Sequence, residues 1–174
     1  MSARGQMHLG VYAVGTGNHL SGWRVPGASQ SGEDFSIFKT IAASCERGKL
    51  DFLFVGDSLA FVEDKHPGQM LRFEPLTLHA ALATHTSRVG LVATASTTYS
   101  APYNVARSFA SLDKLSDGRA AWNVVTTGNP ESADNFGDAG PMAHATRYES
   151  AREFVLVVRG LWDSWEEGAR VLNV

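Results

Sequence analysis

The sequence predicts an α/β fold, a partial (β/α)8 TIM barrel made of about the first four β/α units. Three observations predict it. A short apolar run followed by a helical pattern recurs four times along the 174 residues. The interior runs are apolar almost without alternation, as strands covered on both faces are. Long polar, glycine-bearing connections follow the C-terminal ends of the strands, the end at which barrels of this kind carry their sites.

The first strand is predicted at His8–Val14. It opens into Gly15–Gly32, a polar, glycine-rich stretch too long for a minimal turn and of the kind that forms lids or binding loops. Glu33–Gly48 reads as a helix, with Ser31 and Asp34 resembling an N-terminal cap and an acid three residues on. Phe35, Phe38, Ala42 and Cys45 give it one apolar face, on which Cys45 reads as a small buried hydrophobe. Asp51–Val55 is the second strand, bounded by Gly48 and Gly56. Ser58–Glu74 is another long connection, and Pro75 suits the first turn of a helix through His85.

Val89–Ala95 is the third strand, and Pro102 opens a helix to Leu115 whose buried face carries Val105, Phe109 and Leu112. Ala120–Thr126 is the fourth strand, followed by a polar connection over Thr127–Met142. The last helix is predicted over Ala143–Trp165, with Tyr148, Ala151, Val155, Val158, Leu161 and Trp162 supplying its packing stripe. The tail from Gly168 to Val174 starts to look extended. The rival architecture is a four-stranded flavodoxin-like or Rossmann-like sheet. No Gly-x-Gly-x-x-Gly joins the first strand to the first helix, since Gly15–Thr16–Gly17 lacks the third glycine, and no Walker phosphate loop occurs.

Composition narrows the function classes. The chain is 44% hydrophobic, enough to build a core, and carries 15 Lys and Arg against 18 Asp and Glu, a net charge of -3. No basic stripe stands out, which argues against nucleic acid as a partner. No apolar run approaches the ~20 residues of a membrane-spanning helix. Cys45 is the only cysteine, which excludes an intrachain disulfide and a thiolate zinc cluster. The short polar start runs into a strand with no hydrophobic signal region, so a cytoplasmic location is expected. A half barrel leaves both terminal strands unpaired. The sequence therefore predicts a homo-oligomer or a missing C-terminal half, the end soon after a helix reading as a break between structural units.

Several residues could carry chemistry. Asp57 lies just past the second strand, and Ser96–Thr97–Thr98 just past the third, where hydroxyls and backbone N–H groups can approach an anionic or polyol ligand. Asn123 falls inside the fourth strand and demands a polar partner, either within the barrel or on a neighbouring strand. His144, Arg147 and Tyr148 share one surface at the start of the last helix and can hold a phosphate or ribityl chain. An exposed, partly packed amphipathic turn is the alternative there. The six histidines lack metal-ligand spacing, so no metal site is expected. Asp113, Asp117 and Arg119 read as a helix-end turn, and Glu166 and Glu167 as solvated.

The runs DFLFVGDSLA, LRFEPLTLHAALATHTSRVGLVATASTTYSAPYNVARSFASLDKLSDGRAAWNVVTT and HATRYESAREFVLVVRGLWDSW, taken in order, resemble the N-terminal part of the bacterial luciferase-like, flavin-dependent monooxygenases. The likeness is closer to the branch of nitrilotriacetate, dibenzothiophene-sulfone and long-chain alkane monooxygenases. It implies that residues 1–174 are the N-terminal half of a luciferase-like TIM-barrel domain. It implies reduced FMN supplied by a separate flavin reductase, and O2 used to oxygenate a small organic substrate. Asp57, Thr97 or Thr98, Asn123, His144 and Tyr148 match the flavin-binding positions, and no side chain is implied as a catalytic nucleophile. With the later half of the barrel and its serine-containing loop missing, the chain alone is expected to turn over weakly or not at all. A non-catalytic half-barrel fragment, or a structural partner that oligomerises through open edges, is the alternative.

Overall fold

The computed structural model describes residues 6–19, 21–61, 70–137, 140–166, 168, 169 and 171. Its elements follow the order β1 (Gly10–Tyr12), α1 (Phe35–Gly48), β2 (Phe52–Val55), α2 (Pro75–Ala83), β3 (Gly90–Ser96), α3 (Pro102–Ser116), β4 (Ala120–Val125), α4 (Pro130–Asn135) and α5 (His144–Trp162). Positions 62–69 of the second long connection, His66 among them, lie outside the described residues, as do Glu167 and the last three residues of the tail.

All four strands are parallel and stand in the order β1-β2-β3-β4. A doubly wound sheet reverses its strand order at a switch point. This sheet does not, so each crossover steps one strand further in the same direction, as in the first four units of a (β/α) barrel. The flavodoxin-like and Rossmann-like alternatives are thereby removed.

The two faces of the sheet differ because side chains alternate along each strand. Leu53 and Val55 on β2, with Leu91 and Ala93 on β3, are buried on the helix side. There Phe38, Ala42 and Cys45 of α1 and Leu78 and Leu82 of α2 complete one core. A second core joins Ala93 to Val105, Ala106 and Phe109 of α3 and Phe154 and Val158 of α5. Trp122 packs against it, with ring centroids 5.8 Å from Phe109 and 5.9 Å from Phe154, and donates its indole N–H to the Ala95 carbonyl over 3.1 Å.

The opposite face, the inside of the barrel, is filled by alternating sizes. Gly10 is the register partner of Phe52, and a Cβ at Gly10 would fall on the Phe52 ring. One layer on, Tyr12 stacks on Phe54 with centroids 5.0 Å apart. Small residues beside large ones are how adjacent barrel strands share interior volume.

The element ends shift for local reasons. β1 is shorter than His8–Val14, because beyond Tyr12 the chain leaves its single neighbour after one further bond, Ala13 N–H to the Phe54 carbonyl at 2.8 Å. α1 begins two residues late because Asp34 is itself the cap, accepting from Ser36 N–H at 2.9 Å, while Ser31 accepts from Glu33 N–H outside the helix. α2 starts at Pro75 with Glu74 accepting from the N–H groups of Leu76 and Thr77, and it ends at Ala83, short of His85. α3 runs one residue past Leu115, β4 stops one short of Thr126, and α5 is shorter than predicted at both ends. α4 interrupts what the sequence presents as one polar connection. No strand occurs among the described residues of the tail, and no helix among them is long and apolar enough to cross a membrane.

Candidate functional site

The polar residues singled out in the sequence stand at or just beyond the C-terminal ends of β2, β3 and β4 and at the start of α5. Parallel strands orient every carboxyl end the same way, so four separate connections rise from one rim.

At the tip of β2, Asp57 is half-buried and accepts the Ser58 N–H over 2.7 Å. Burial pushes its carboxyl above the usual carboxylate range. Glu74 adds to that shift, while the Ser58 bond and the Arg72 guanidinium oppose it. An acid held partly against ionisation is a common mark of a functional position.

At the tip of β3, Thr97 is buried and addresses the end of β4 twice, through its N–H and its hydroxyl, both donated to the Val125 carbonyl at 2.9 and 3.2 Å. Ser96 Oγ accepts the Thr98 N–H over 3.1 Å and the Thr127 hydroxyl over 2.9 Å. The Thr98 side chain is half-buried, and its hydroxyl makes no hydrogen bond among the described residues. Of the two threonines, Thr97 ties two tips together, whereas the Thr98 hydroxyl is bonded to none of the described residues.

Asn123 is half-buried, and its amide donates to Thr94 Oγ1 over 3.0 Å. Thr94, buried on β3, passes its own proton to the Val55 carbonyl over 2.9 Å. A polar chain thus crosses from β4 through β3 to β2 just below the rim. Asn123 does make a bond to a neighbouring strand, and it does so on the face turned away from the helices.

At the start of α5, the rings of His144 and Tyr148 lie 4.7 Å apart, and both residues are exposed. Arg147, between them in sequence, lies across Gly128, just beyond β4: a Cβ at Gly128 would coincide with Nη1 of Arg147. Arg147 Nε is buried with no hydrogen-bond partner among the described residues.

α4 closes part of the rim. Asn135 donates its side-chain amide to the Leu59 carbonyl beyond β2 over 2.8 Å, and Phe136 stacks on Tyr99 beyond β3 with centroids 4.5 Å apart. The Tyr99 hydroxyl is buried without a partner among the described residues.

The structure thus joins Thr97 to the β4 tip, Asn123 to Thr94, and His144 to Tyr148. No hydrogen bond joins Asp57 to the other candidates among the described residues. Sequence reasoning missed Thr94, Thr127, Gly128 and α4 as parts of the site. Of these, only α4 left a local signal, the Asn129–Pro130–Glu131 start pattern. A groove of about 1120 Å³ between α3, β4 and α5, lined by Phe109, Trp122 and Trp162 among others, lies on the helix side and includes none of the candidate residues. That groove lies apart from the strand ends that carry the sequence-predicted residues. Among the described residues no three His, Cys, Asp or Glu side chains come together to hold a metal ion.

Residues 16–172 match the family described as luciferase-like monooxygenase. The N-acetyl-S-(2-succino)cysteine monooxygenase of Bacillus subtilis (strain 168) is 52% identical over 173 residues, covering 99% of this chain and 39% of the relative. Nitrilotriacetate monooxygenase component A of Aminobacter aminovorans is 46% identical over 184 residues, covering 97% of this chain and 40% of that one. A riboflavin lyase solved with modified FMN and substrate riboflavin shares the fold with a TM-score of 0.85 at 33% identity, covering 97% of this chain and 41% of that chain. The chain spans about two fifths of the length of the curated relatives it matches.

Proposed function

The chain belongs to the luciferase-like monooxygenase family, and from that premise we propose that residues 1–174 form the flavin-binding N-terminal half of an FMN-dependent monooxygenase. The whole enzyme takes reduced FMN from a separate flavin reductase and uses O2 to oxygenate a small organic substrate. It falls in the branch of the nitrilotriacetate and dibenzothiophene-sulfone enzymes, a reading supported by the 46% identity to one of them.

The observation that carries this reading is the convergence of Asp57, Thr98, Asn123 and the His144–Arg147–Tyr148 turn at one rim of a parallel sheet, with a buried guanidinium nitrogen left unpartnered. These groups fit FMN. The flavin offers a planar ring with polar edges, a polyol chain and a dianionic phosphate, and the rim offers an acid and an amide, a threonine hydroxyl, and an arginine on the same helical turn as two exposed rings. When bound, reduced FMN supplies the oxygen chemistry. The protein positions it. Asp57 beyond β2, Thr98 beyond β3 and Asn123 within β4 are the residues that would hold the polar edges of its ring. His144 and Tyr148 hold the ribityl-phosphate side, and α4 with Tyr99 and Phe136 keeps water from that part of the rim.

Titrating FMN into the chain and following flavin fluorescence tests the proposal. Saturable one-to-one quenching, weakened by Asp57→Ala and by Asn123→Ala, is expected. No saturable binding of either oxidised or reduced FMN would overturn it.

One observation favours a second reading, a non-catalytic half barrel that associates through its edges. β1 and β4 each pair on one side only among the described residues, and Tyr12 on the inner face is 45% exposed. Light scattering on the same sample separates the two: a stable flavin-free oligomer supports the second and counts against the first.

A further inference from the structure

We propose that α4 is a latch across the rim of the sheet, held shut by weak contacts, and that the stacked pair of Tyr99 and Phe136 sets how readily it opens to admit a ligand. The latch stands on the geometry of α4 alone. Only its ligand, taken as FMN, rests on the flavin reading above.

Little holds α4 in place. Its buried residues, Ser132 and Ala133, are both small. Ala133 is in neither of the two hydrophobic cores, and the Ser132 hydroxyl donates within the segment, to Asn129 Oδ1 over 2.7 Å. Burial of so few apolar atoms contributes little. Among the described residues, two contacts carry α4 to the tips of β2 and β3. Asn135, its last residue, donates to the Leu59 carbonyl over 2.8 Å, and Phe136, next in the chain, lies on Tyr99 with the ring planes 10° apart. Leu59 stands two residues past Asp57 and Tyr99 one past Thr98, so both anchors sit beside proposed ligand contacts, on strands other than the one α4 follows. Phe136 is 47% exposed and Asn135 is exposed, so water competes for both anchors. A segment with few buried apolar contacts and solvent-facing hydrogen bonds opens locally at low cost.

One group opposes closure. With Phe136 flat against its ring, Tyr99 is held where its hydroxyl is dry and has no partner among the described residues. A hydroxyl withdrawn from water unbonded costs about as much as a ring stack and an exposed hydrogen bond together return. The shut position therefore carries a polar penalty of the same order as the contacts that hold it. Once Phe136 lifts, the Tyr99 ring is free to turn its hydroxyl to water, which offsets the loss of the stack. A side chain needed only to pack under Phe136 would serve better as phenylalanine, which stacks as well and leaves no polar atom dry. The phenol keeps the latch from locking, and a ligand bound between the strand tips enters and leaves while α4 is lifted.

Hydrogen exchange on the full 174-residue chain without ligand tests the latch, read by mass spectrometry on peptides covering 130–137. Phe136→Ala should bring exchange there to the rate of an unstructured peptide, with β3 peptides unchanged. Asn135→Ala takes its place if Phe136→Ala disturbs β3. Tyr99→Phe keeps the ring, removes the dry polar atom, and should slow exchange at 130–137 by about 10-fold, the effect of one such group. The opposite signs are the signature, since a stack that is only structural gives no slowing. Unchanged or faster exchange in Tyr99→Phe, at 130–137 or in β3, overturns the latch, because removing a costly group cannot loosen the fold. Stopped-flow flavin fluorescence reads the gate separately. Tyr99→Phe should slow FMN association and dissociation together, and Asn135→Ala should speed both. Rates that stay at the wild-type values, or a Tyr99→Phe that only dissociates faster, as loss of a direct ligand contact would give, overturn the gate. A wild type that binds no FMN overturns the flavin site, and the exchange measurement still decides the latch.

Discussion

Thr94 and Asn123 are register partners across β3 and β4, and the Asn123 amide donates to the Thr94 hydroxyl over 3.0 Å. Thr94 in turn donates to the Val55 carbonyl over 2.9 Å. Side chains seldom bridge adjacent strands in a dry sheet, because a buried hydroxyl or amide must be satisfied in every direction it offers. Here the chain of bonds fixes the orientation of Asn123 directly below the rim that gathers Asp57 and Thr98. If Asn123 meets a ligand as proposed, Thr94 acts through it as a positioning residue.

Thr94→Val replaces the hydroxyl by a methyl of similar size. It leaves the Asn123 amide without its acceptor and removes the donor from Val55. A loss of about 2 kcal/mol is expected in urea unfolding, the cost of breaking a buried pair on one side. Thr94→Ser, which keeps the hydroxyl, should recover most of it. Flavin affinity should follow the same order, since an Asn123 side chain released from its rotamer binds with an added entropic cost.

Asp57 is expected to oppose folding while it serves the site. Burial raises its carboxyl pKa above the ordinary value near 3.8, so the folded state holds its proton more tightly than the unfolded chain does. A group of this kind favours the fold below the unfolded value and loses that contribution as pH rises through the folded one. Asp57→Asn keeps the shape and removes the charge. It should melt at a higher temperature than wild type at pH 7, with the difference vanishing toward pH 3, and it should bind FMN more weakly. A variant that melts lower at neutral pH would contradict the desolvation argument.

The four β/α units were legible because burial imposes a periodicity that local sequence cannot hide: Phe38, Ala42 and Cys45 on α1, or Leu53 and Val55 on β2. What was not legible is non-local. The order β1-β2-β3-β4, which separates a barrel from a doubly wound sheet, depends on which edge each crossover chooses. The Thr94–Asn123 pair depends on register, and Arg147 finds Gly128 across an intervening connection and α4. Asp57, Thr97, Thr98 and Asn123 could be placed near the rim from strand ends alone, but which threonine hydroxyl is left free follows from Thr97 being tied to Val125. α4 escaped notice because six residues in a polar stretch carry no apolar repeat long enough to read.

At the opposite end of the sheet the polar groups are structural. Glu46 at the end of α1 accepts the N–H groups of Ser87, Arg88 and Val89 at 3.0, 2.7 and 2.9 Å, bracing the turn into β3. Arg119 donates to the carbonyls of Ser116, Val89 and Thr86 at 2.6, 2.8 and 3.0 Å. Burial tends to raise the Glu46 pKa, but the three backbone donors and the Arg119 charge bring it net below the usual value. Its contribution is therefore present above the unfolded pKa and lost as pH falls below it. Glu46→Gln should cost about 1–3 kcal/mol at pH 7, the worth of charged hydrogen bonds, and leave flavin affinity unchanged. A change in affinity would mean that the two ends of the sheet are coupled.

His79 should set the acid limit of the fold. It is 0% exposed on α2, and its Nε2 lies 3.0 Å from the Val92 carbonyl. A carbonyl can only accept, so Nε2 carries the proton and donates it, and Nδ1 is left buried with no partner among the described residues. A second proton would have to enter at Nδ1, inside the core. Desolvation accordingly pushes the His79 pKa down to about 4, against the smaller upward pulls of the Val92 bond and Glu74. The unfolded chain takes up that proton near pH 6.5, where the folded one refuses it. Stability is then complete above pH 6.5 and declines as pH falls toward 4, by about 3 kcal/mol over the whole window. His79→Gln retains an N–H for Val92 and cannot titrate. Urea unfolding of both proteins should show a wild-type stability that drops away from the variant's between pH 6.5 and 4. Parallel profiles would mean that the His79 ring reaches water before it is protonated.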